Sequence, residues 1–179
     1  LDTVRYPGCF FIADSDVIGM SHLDYYKYQA EARGVTGAED VKRLAEEQAF
    51  AYRIALKWIP SDRSCRIGDM ACGHGSFLRW LELRGYRNAV GVDFSQVQID
   101  MARSCGFSVE QTDALSWVEK QPTESFNCLF AIDFIEHISK DDLIRLLQAS
   151  HRVLTPGSWL VLRYPNGDSP FVGLNLFND

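Results

Sequence analysis

Apolar and polar positions along this chain follow two alternating rhythms. Short apolar runs of strand length recur at residues 65–70, 88–93, 107–112, 125–132 and 158–164. Between them lie stretches with apolar residues at helical spacing. One follows Ser76 as F-L-R-W-L-E-L-R-G and stops at Gly85. A second, with Val97, Ile99, Met101 and Ala102, follows Ser95-x-x-Gln98 and stops at Gly106. A third, with Leu143, Leu146, Leu147, Val153 and Leu154, follows Ser139-x-x-Asp142. A serine followed three residues later by a polar acceptor opens a helix by capping its free N–H groups. Thr155-Pro-Gly is expected to break the third helix ahead of the fifth strand. Strand–helix alternation with short connections predicts an α/β fold: a doubly wound parallel sheet with helices on both faces and right-handed crossovers.

Two helices are expected before the first strand. Ser21-x-x-Asp24 starts one that runs through Tyr25, Tyr26 and Tyr28 to about Ala32. Thr36-x-x-Glu39 starts the other, whose single apolar face carries Val41, Leu44, Ala45, Ala49, Tyr52, Ala55, Leu56 and Ile59 until Pro60. The expected organisation is therefore a helical segment over 1–60, serving as sheet cover or as a lid, and a nucleotide-type domain over 61–179.

Composition narrows the setting. The 46% hydrophobic and 23% charged fractions are those of an ordinary globular domain. No apolar run approaches the ~18 residues of a membrane span, so no membrane role is expected. The net charge of −6, without a Lys/Arg cluster, argues against a nucleic-acid partner. Cys9, Cys65, Cys72, Cys105 and Cys128 contain no C-x-x-C pair, which suggests free thiols in a reducing, cytoplasmic compartment rather than a structural zinc site.

The chemistry concentrates at residues 65–75, C-R-I-G-D-M-A-C-G-H-G. A strand ends in an acid, Ala71, Gly73 and Gly75 make a turn of small residues, and a helix begins. Such a turn lets backbone approach a ligand while the helix offers free N–H groups. A tight turn also takes glycine for its own sake. More telling, four successive strands end at or just before an acid: Asp69, Asp93, Asp113 and Asp133. In an open parallel sheet these lie on the one rim where ligands bind, and Asp93 stands about twenty residues past the turn, where a carboxylate accepts ribose hydroxyls. Strand-end acids also serve as helix caps. A dinucleotide oxidoreductase is disfavoured, because Leu78 stands where a third small residue belongs.

Together, Asp69-x-Ala-Cys-Gly-His-Gly, Gly91-Val-Asp-Phe-Ser, Thr112-Asp-Ala, Ala131-Ile-Asp-Phe-Ile-Glu-His-Ile and Arg152-Val-Leu-Thr-Pro-Gly-Ser resemble the class I S-adenosylmethionine-dependent methyltransferases. The nearest flavour is the small-molecule branch that includes ubiquinone-type O-methyltransferases. The resemblance implies a Rossmann-like sheet of order 3-2-1-4-5, with two further strands beyond those legible before Asp179. It implies that the backbone from Ala71 through Gly73 to Gly75 approaches the methionyl part of S-adenosylmethionine, with Asp69 organising its ammonium group. Asp93 would hold the ribose, Phe94 flank the adenine, Asp113 and Ala114 meet the adenine edge, and Ala131 and Ile132 line the sulfonium side. Two departures stand out. Ala71 replaces a usual glycine, harmless if its φ is negative, and Gly68 replaces a bulky strand residue, which should loosen packing.

The implied activity is methyl transfer to a hydroxyl oxygen of a small molecule or glycan, with S-adenosylhomocysteine as product. The alternative is a non-catalytic domain that keeps the cofactor pocket for sensing or assembly. Proton removal from the hydroxyl calls for a base. His137 is the candidate, with Asp133 and Glu136 beside it; the same residues alternatively begin a helix and play a structural part. Asp133-x-x-Glu136-His137 also matches, one methylene short, the spacing of a metal site in the ubiquinone-type enzymes. No Asn/Asp-Pro-Pro-Tyr follows the fourth strand, which within the resemblance disfavours methylation of base amino groups.

Overall fold

The computed structural model describes residues 34–165. The helix expected to start at Ser21 lies outside the described residues. Helices α1 (Ala38–Glu47) and α2 (Ala49–Tyr52) and a 3-10 segment (Arg53–Lys57) come first. Then follow β1 (Ile67–Met70), α3 (Ser76–Glu82), β2 (Ala89–Asp93), α4 (Gln96–Ser104) and β3 (Ser108–Gln111). Next are α5 (Ala114–Lys120), β4 (Phe126–Ile132), a 3-10 turn (Ile135–His137), α6 (Lys140–Val153) and β5 (Leu154–Arg163).

The five strands form one parallel sheet in the order β3-β2-β1-β4-β5, the order the resemblance implied. Its switch point lies between β1 and β4, where Met70 pairs with Ala131. Alternation along the strands divides the core. On one face Ile67, Cys128 and Phe130 pack with Tyr52, Ala55, Ile59, Phe77, Trp80 and Leu81. On the other, Met70, Leu129 and Ala131 pack with Leu115, Trp117, Val118, Leu146 and Val153. Full burial of such side chains contributes about 1.5–3 kcal/mol each. The helices before the sheet therefore share its core.

Several expectations need correction. The single helical face ending at Pro60 is broken at Gln48, and past Tyr52 the chain tightens into the 3-10 segment. Tyr52, Ala55 and Ile59 keep their place on the sheet, whereas Leu56, expected on that face, is exposed. Thr36 bonds Asp40 rather than Glu39, through both its N–H and its hydroxyl. Ser95 precedes α4 as expected, but neither its hydroxyl nor the Gln98 side-chain Oε1 has a hydrogen-bond partner among the described residues. Ser139 does cap α6, accepting from the Asp142 N–H at 3.1 Å.

Thr155-Pro-Gly does not separate helix from strand. β5 begins at Leu154, opposite Phe126, and residues 155–158 bulge before Trp159 rejoins opposite Cys128. Gly157, at φ 81, and a 2.6 Å hydroxyl contact between Thr155 and Ser158 shape the bulge. Helix α5 is additional to the helices expected between the strands. Arg152 donates to the Val118, Glu119 and Gln121 carbonyls at its end, satisfying acceptors that a helix terminus leaves open.

Gly68 does not loosen the core. A Cβ there would lie 2.5 Å from Leu129 Cδ2 and 3.1 Å from the Trp117 ring, so its neighbours already fill the space.

Candidate functional site

The carboxyl ends of β1, β2 and β4 meet around the turn from Ala71 to Gly75. Ala71 takes φ 61, Gly73 φ 53 and Gly75 φ 89, three left-handed residues in five. The expectation of a negative φ at Ala71 is thus overturned. The strand must reverse at once to bring Cys72 over β2, and an alanine tolerates that turn at a cost of about 1–2 kcal/mol. Cys72 N–H donates to the Val92 carbonyl at 2.9 Å. Its thiol fills the space a Cβ on Gly91 would need, only 2.7 Å from that position. The glycine of Gly91-Val-Asp thus seats the turn on the second strand.

Asp93 holds the turn from the other side. Its Oδ2 accepts the Gly73 N–H and its Oδ1 the Ser95 N–H, each at 2.9 Å. Burial raises its carboxyl above the usual range, while backbone N–H groups of Ser95, Gly73 and Phe94 pull the other way. Asp69 is more extreme. It is 2% exposed, and its Oδ2 has no hydrogen-bond partner among the described residues. Burial, with the nearby Asp93 charge adding to it, pushes its carboxyl well above the usual range, and only Arg163 acts in the opposite sense. A buried carboxyl oxygen without a donor is costly unless a cation or donor completes it. Those features fit a cofactor that carries an ammonium group.

The remaining expected residues spread along the same rim. Phe94 is 39% exposed just past β2. Asp113 is exposed and caps α5, its Oδ1 accepting the Ser116 N–H at 2.9 Å, with Ala114 buried behind it. Ala131 is buried and Ile132 half-buried at the end of β4. Asp133 follows at φ 52, exposed, its carboxylate paired with Arg163. Glu136 is half-buried and His137 exposed in the 3-10 turn. Asp133, Glu136 and His137 are not brought together as ligands: among the described residues no three His, Cys, Asp or Glu side chains are grouped to hold a metal ion.

Two residues at this rim were not singled out from sequence. Tyr52 lies buried beneath it, with its hydroxyl bonded to Gln48 Oε1 and 3.0 Å from Ser76 Oγ at the start of α3. Burial pushes its phenol up to about 12. Arg163 ends β5, and the logic that found four acids at strand ends would have found this cation on the fifth strand.

Comparison with known proteins gives a consistent picture. A family model described as a methyltransferase domain matches residues 38–176. The chain is similar to trans-aconitate 2-methyltransferase of Azoarcus sp. (strain BH72), 30% identical over 136 residues. That match covers 72% of this chain and 50% of the relative, so the chain spans half of that relative's length. Among solved structures, a SAM-dependent methyltransferase from Archaeoglobus fulgidus superposes with a TM-score of 0.70 at 24% identity, covering 87% of this chain and 65% of that one. An S-adenosylmethionine-dependent methyltransferase from Mesorhizobium loti superposes with a TM-score of 0.53 at 26% identity, covering 64% and 52%.

Proposed function

This chain belongs to the methyltransferase domain family, with the fold of the class I S-adenosylmethionine-dependent enzymes, and on that premise we propose that it methylates a hydroxyl oxygen of a small molecule or glycan. The observation that carries the reading is the orphaned, fully buried Asp69 carboxyl oxygen beside three left-handed residues at the switch point. Bound there, S-adenosylmethionine supplies an electrophilic methyl on a sulfonium. The protein's part is to hold, orient and exclude water.

In this reading Asp69 meets the ammonium group, and the backbone from Ala71 to Gly75 lies along the methionyl chain. Asp93 uses the lone pairs left free by Gly73 and Ser95 to accept from the ribose hydroxyls. Phe94 flanks the adenine, Asp113 accepts from its amino group through the oxygen not engaged by Ser116, and Ala114 donates a backbone N–H. Ala131 and Ile132 border the sulfonium. His137 takes the hydroxyl proton, with Asp133 as the neighbouring carboxylate. The relative's name, which specifies trans-aconitate, supports a small organic acceptor.

Calorimetric titration with S-adenosylmethionine and S-adenosylhomocysteine tests the binding half. Mass-spectrometric detection of S-adenosylhomocysteine, formed over a panel of hydroxylated small molecules and glycans, tests the chemistry. Absence of binding overturns the reading. Binding without turnover on any acceptor returns the domain to the sensing or assembly alternative.

A further inference from the structure

Charge is divided along the rim. The ends of β1, β2 and β3 present or precede carboxyls (Asp69, Asp93 and Asp113), while β4 and β5 end in a carboxylate facing a cation, Asp133 and Arg163. The guanidinium is presented as a fork. Nε donates to Asp133 Oδ1 at 3.2 Å and Nη2 to Oδ2, the planar bidentate geometry with which arginine reads a carboxylate. Its Cζ lies 5.7 Å from the centroid of the Tyr52 ring. That ring cannot drift, because Gln48 and Ser76 hold the hydroxyl and Phe77 and Trp80 pack against its faces and edges. The pair itself is open to water, with the Arg163 side chain 33% and the Asp133 side chain 52% exposed. Exposed pairs contribute about 0–1 kcal/mol, so another carboxylate can exchange for this one. Asp133 meets Arg163 from a left-handed backbone, φ 52, a conformation that costs a residue with a Cβ about 1–3 kcal/mol and that clusters at functional sites. The main chain fixes the two residues together, Asp133 N–H donating to the Arg163 carbonyl at 2.7 Å.

We propose that Arg163 anchors a carboxylate group of the methyl acceptor, and that the Asp133 carboxylate holds its place until the acceptor enters. The inference rests on the methyl-transfer reading, because it takes the β4 end, with Ala131 and Ile132, as the sulfonium side. It narrows the acceptor class to small molecules that carry a carboxylate in addition to the oxygen methylated. Displacement also frees Asp133 for the role beside His137 assigned above. The guanidinium's approach to the buried Tyr52 ring sets the cation at the inner side of the rim, where its charge also opposes the upward push on the Asp69 carboxyl.

The test is calorimetry on the protein saturated with S-adenosylhomocysteine, using citrate, malate and salicylate, each against its neutral amide. At least one acid is expected to bind, and its amide not to. Arg163→Gln should weaken that acid by about tenfold or more, with Arg163→Lys intermediate because an ammonium keeps charge but not the fork. Asp133→Asn should tighten it severalfold by removing the competing carboxylate. Each variant's S-adenosylhomocysteine titration reports that the fold is intact. Failure of the wild type to bind S-adenosylhomocysteine overturns the methyl-transfer reading. With that binding present, the anchor is overturned if none of the three acids binds, if an amide binds as well as its acid, if Arg163→Gln binds like wild type, or if Asp133→Asn fails to gain.

Discussion

The Asp93 carboxylate accepts the Gly73 N–H at 2.9 Å, joining the end of the second strand to the turn that leaves the first. One side chain thus shapes the turn and stands where the ribose is proposed to bind. Asp93→Ala should weaken S-adenosylmethionine binding by about 1.5–3 kcal/mol, the range for hydrogen bonds to a charged group. Because Gly73 and Ser95 also lose their acceptor, a fall in urea midpoint should accompany it. Calorimetry on a folded Asp93→Ala protein with wild-type affinity would remove Asp93 from the site.

Asp69 predicts a pH signature. Below the ordinary value of 3.8 the carboxyl is protonated whether the chain is folded or not, and the stability linked to its protonation is fully present. As pH rises above that value, the unfolded chain ionises first while the buried group keeps its proton. Stability therefore falls with rising pH until the folded group ionises as well. Thermal unfolding across this range should show the decline in wild type, and Asp69→Asn should make it shallower, leaving the part due to the raised Asp93 carboxyl. Cofactor binding should show the opposite trend, tightening with pH in wild type as the carboxylate becomes available to an ammonium. An Asp69→Asn protein with both slopes unchanged from wild type would contradict the assignment.

The turn predicts a graded stability series. Ala71→Gly relieves a left-handed alanine and should stabilise by up to about 1 kcal/mol, less the entropy that glycine adds to the unfolded chain. Gly75→Ala meets both a φ of 89 and a Cβ 2.6 Å from the Phe107 ring, and should cost more than the roughly 1–3 kcal/mol of simple overpacking. Gly68→Ala, with an unstrained φ, should fall within that overpacking range. Urea denaturation of the three proteins provides the ranking, and a neutral Gly75→Ala would break it.

The sheet was legible because each strand is a short, mostly apolar run and the first four end near an acid, a local signal that needs no tertiary information. Asp69, Asp93 and Asp133 could be placed on one rim for the same reason. What remained hidden depends on partners distant in sequence. The φ of Ala71 is set by the seat of Cys72 on Gly91, twenty residues on. Gly68 looked like a packing defect because the residues that fill its space, Leu129 and Trp117, belong to other elements. Tyr52 read as one apolar position on a helix, since nothing near it in sequence reveals that its hydroxyl meets Ser76. Leu56 leaves the predicted helical face because the stretch around it tightens to 3-10 geometry.

His137 predicts a kinetic separation. It occupies an exposed turn at the end of the sheet, its backbone N–H donating to the Phe134 carbonyl at 3.0 Å. As the proposed base it acts only once the acceptor is in place. His137→Ala should therefore lower kcat by roughly 10²–10⁴ while leaving the affinity for S-adenosylmethionine close to wild type. A chelator should leave activity unchanged, and Glu136→Ala should turn over near normally, because these side chains are not grouped as metal ligands among the described residues. Loss of activity on chelation, with Asp133→Ala and Glu136→Ala each as impaired as His137→Ala, would instead establish a metal role. A lowered melting temperature with only a modest, pH-independent loss of rate would mark a structural histidine. The measurement is steady-state S-adenosylhomocysteine formation across pH, on whichever acceptor the panel identifies. Normal turnover by His137→Ala at every pH would make the histidine scaffold and leave proton removal to another group.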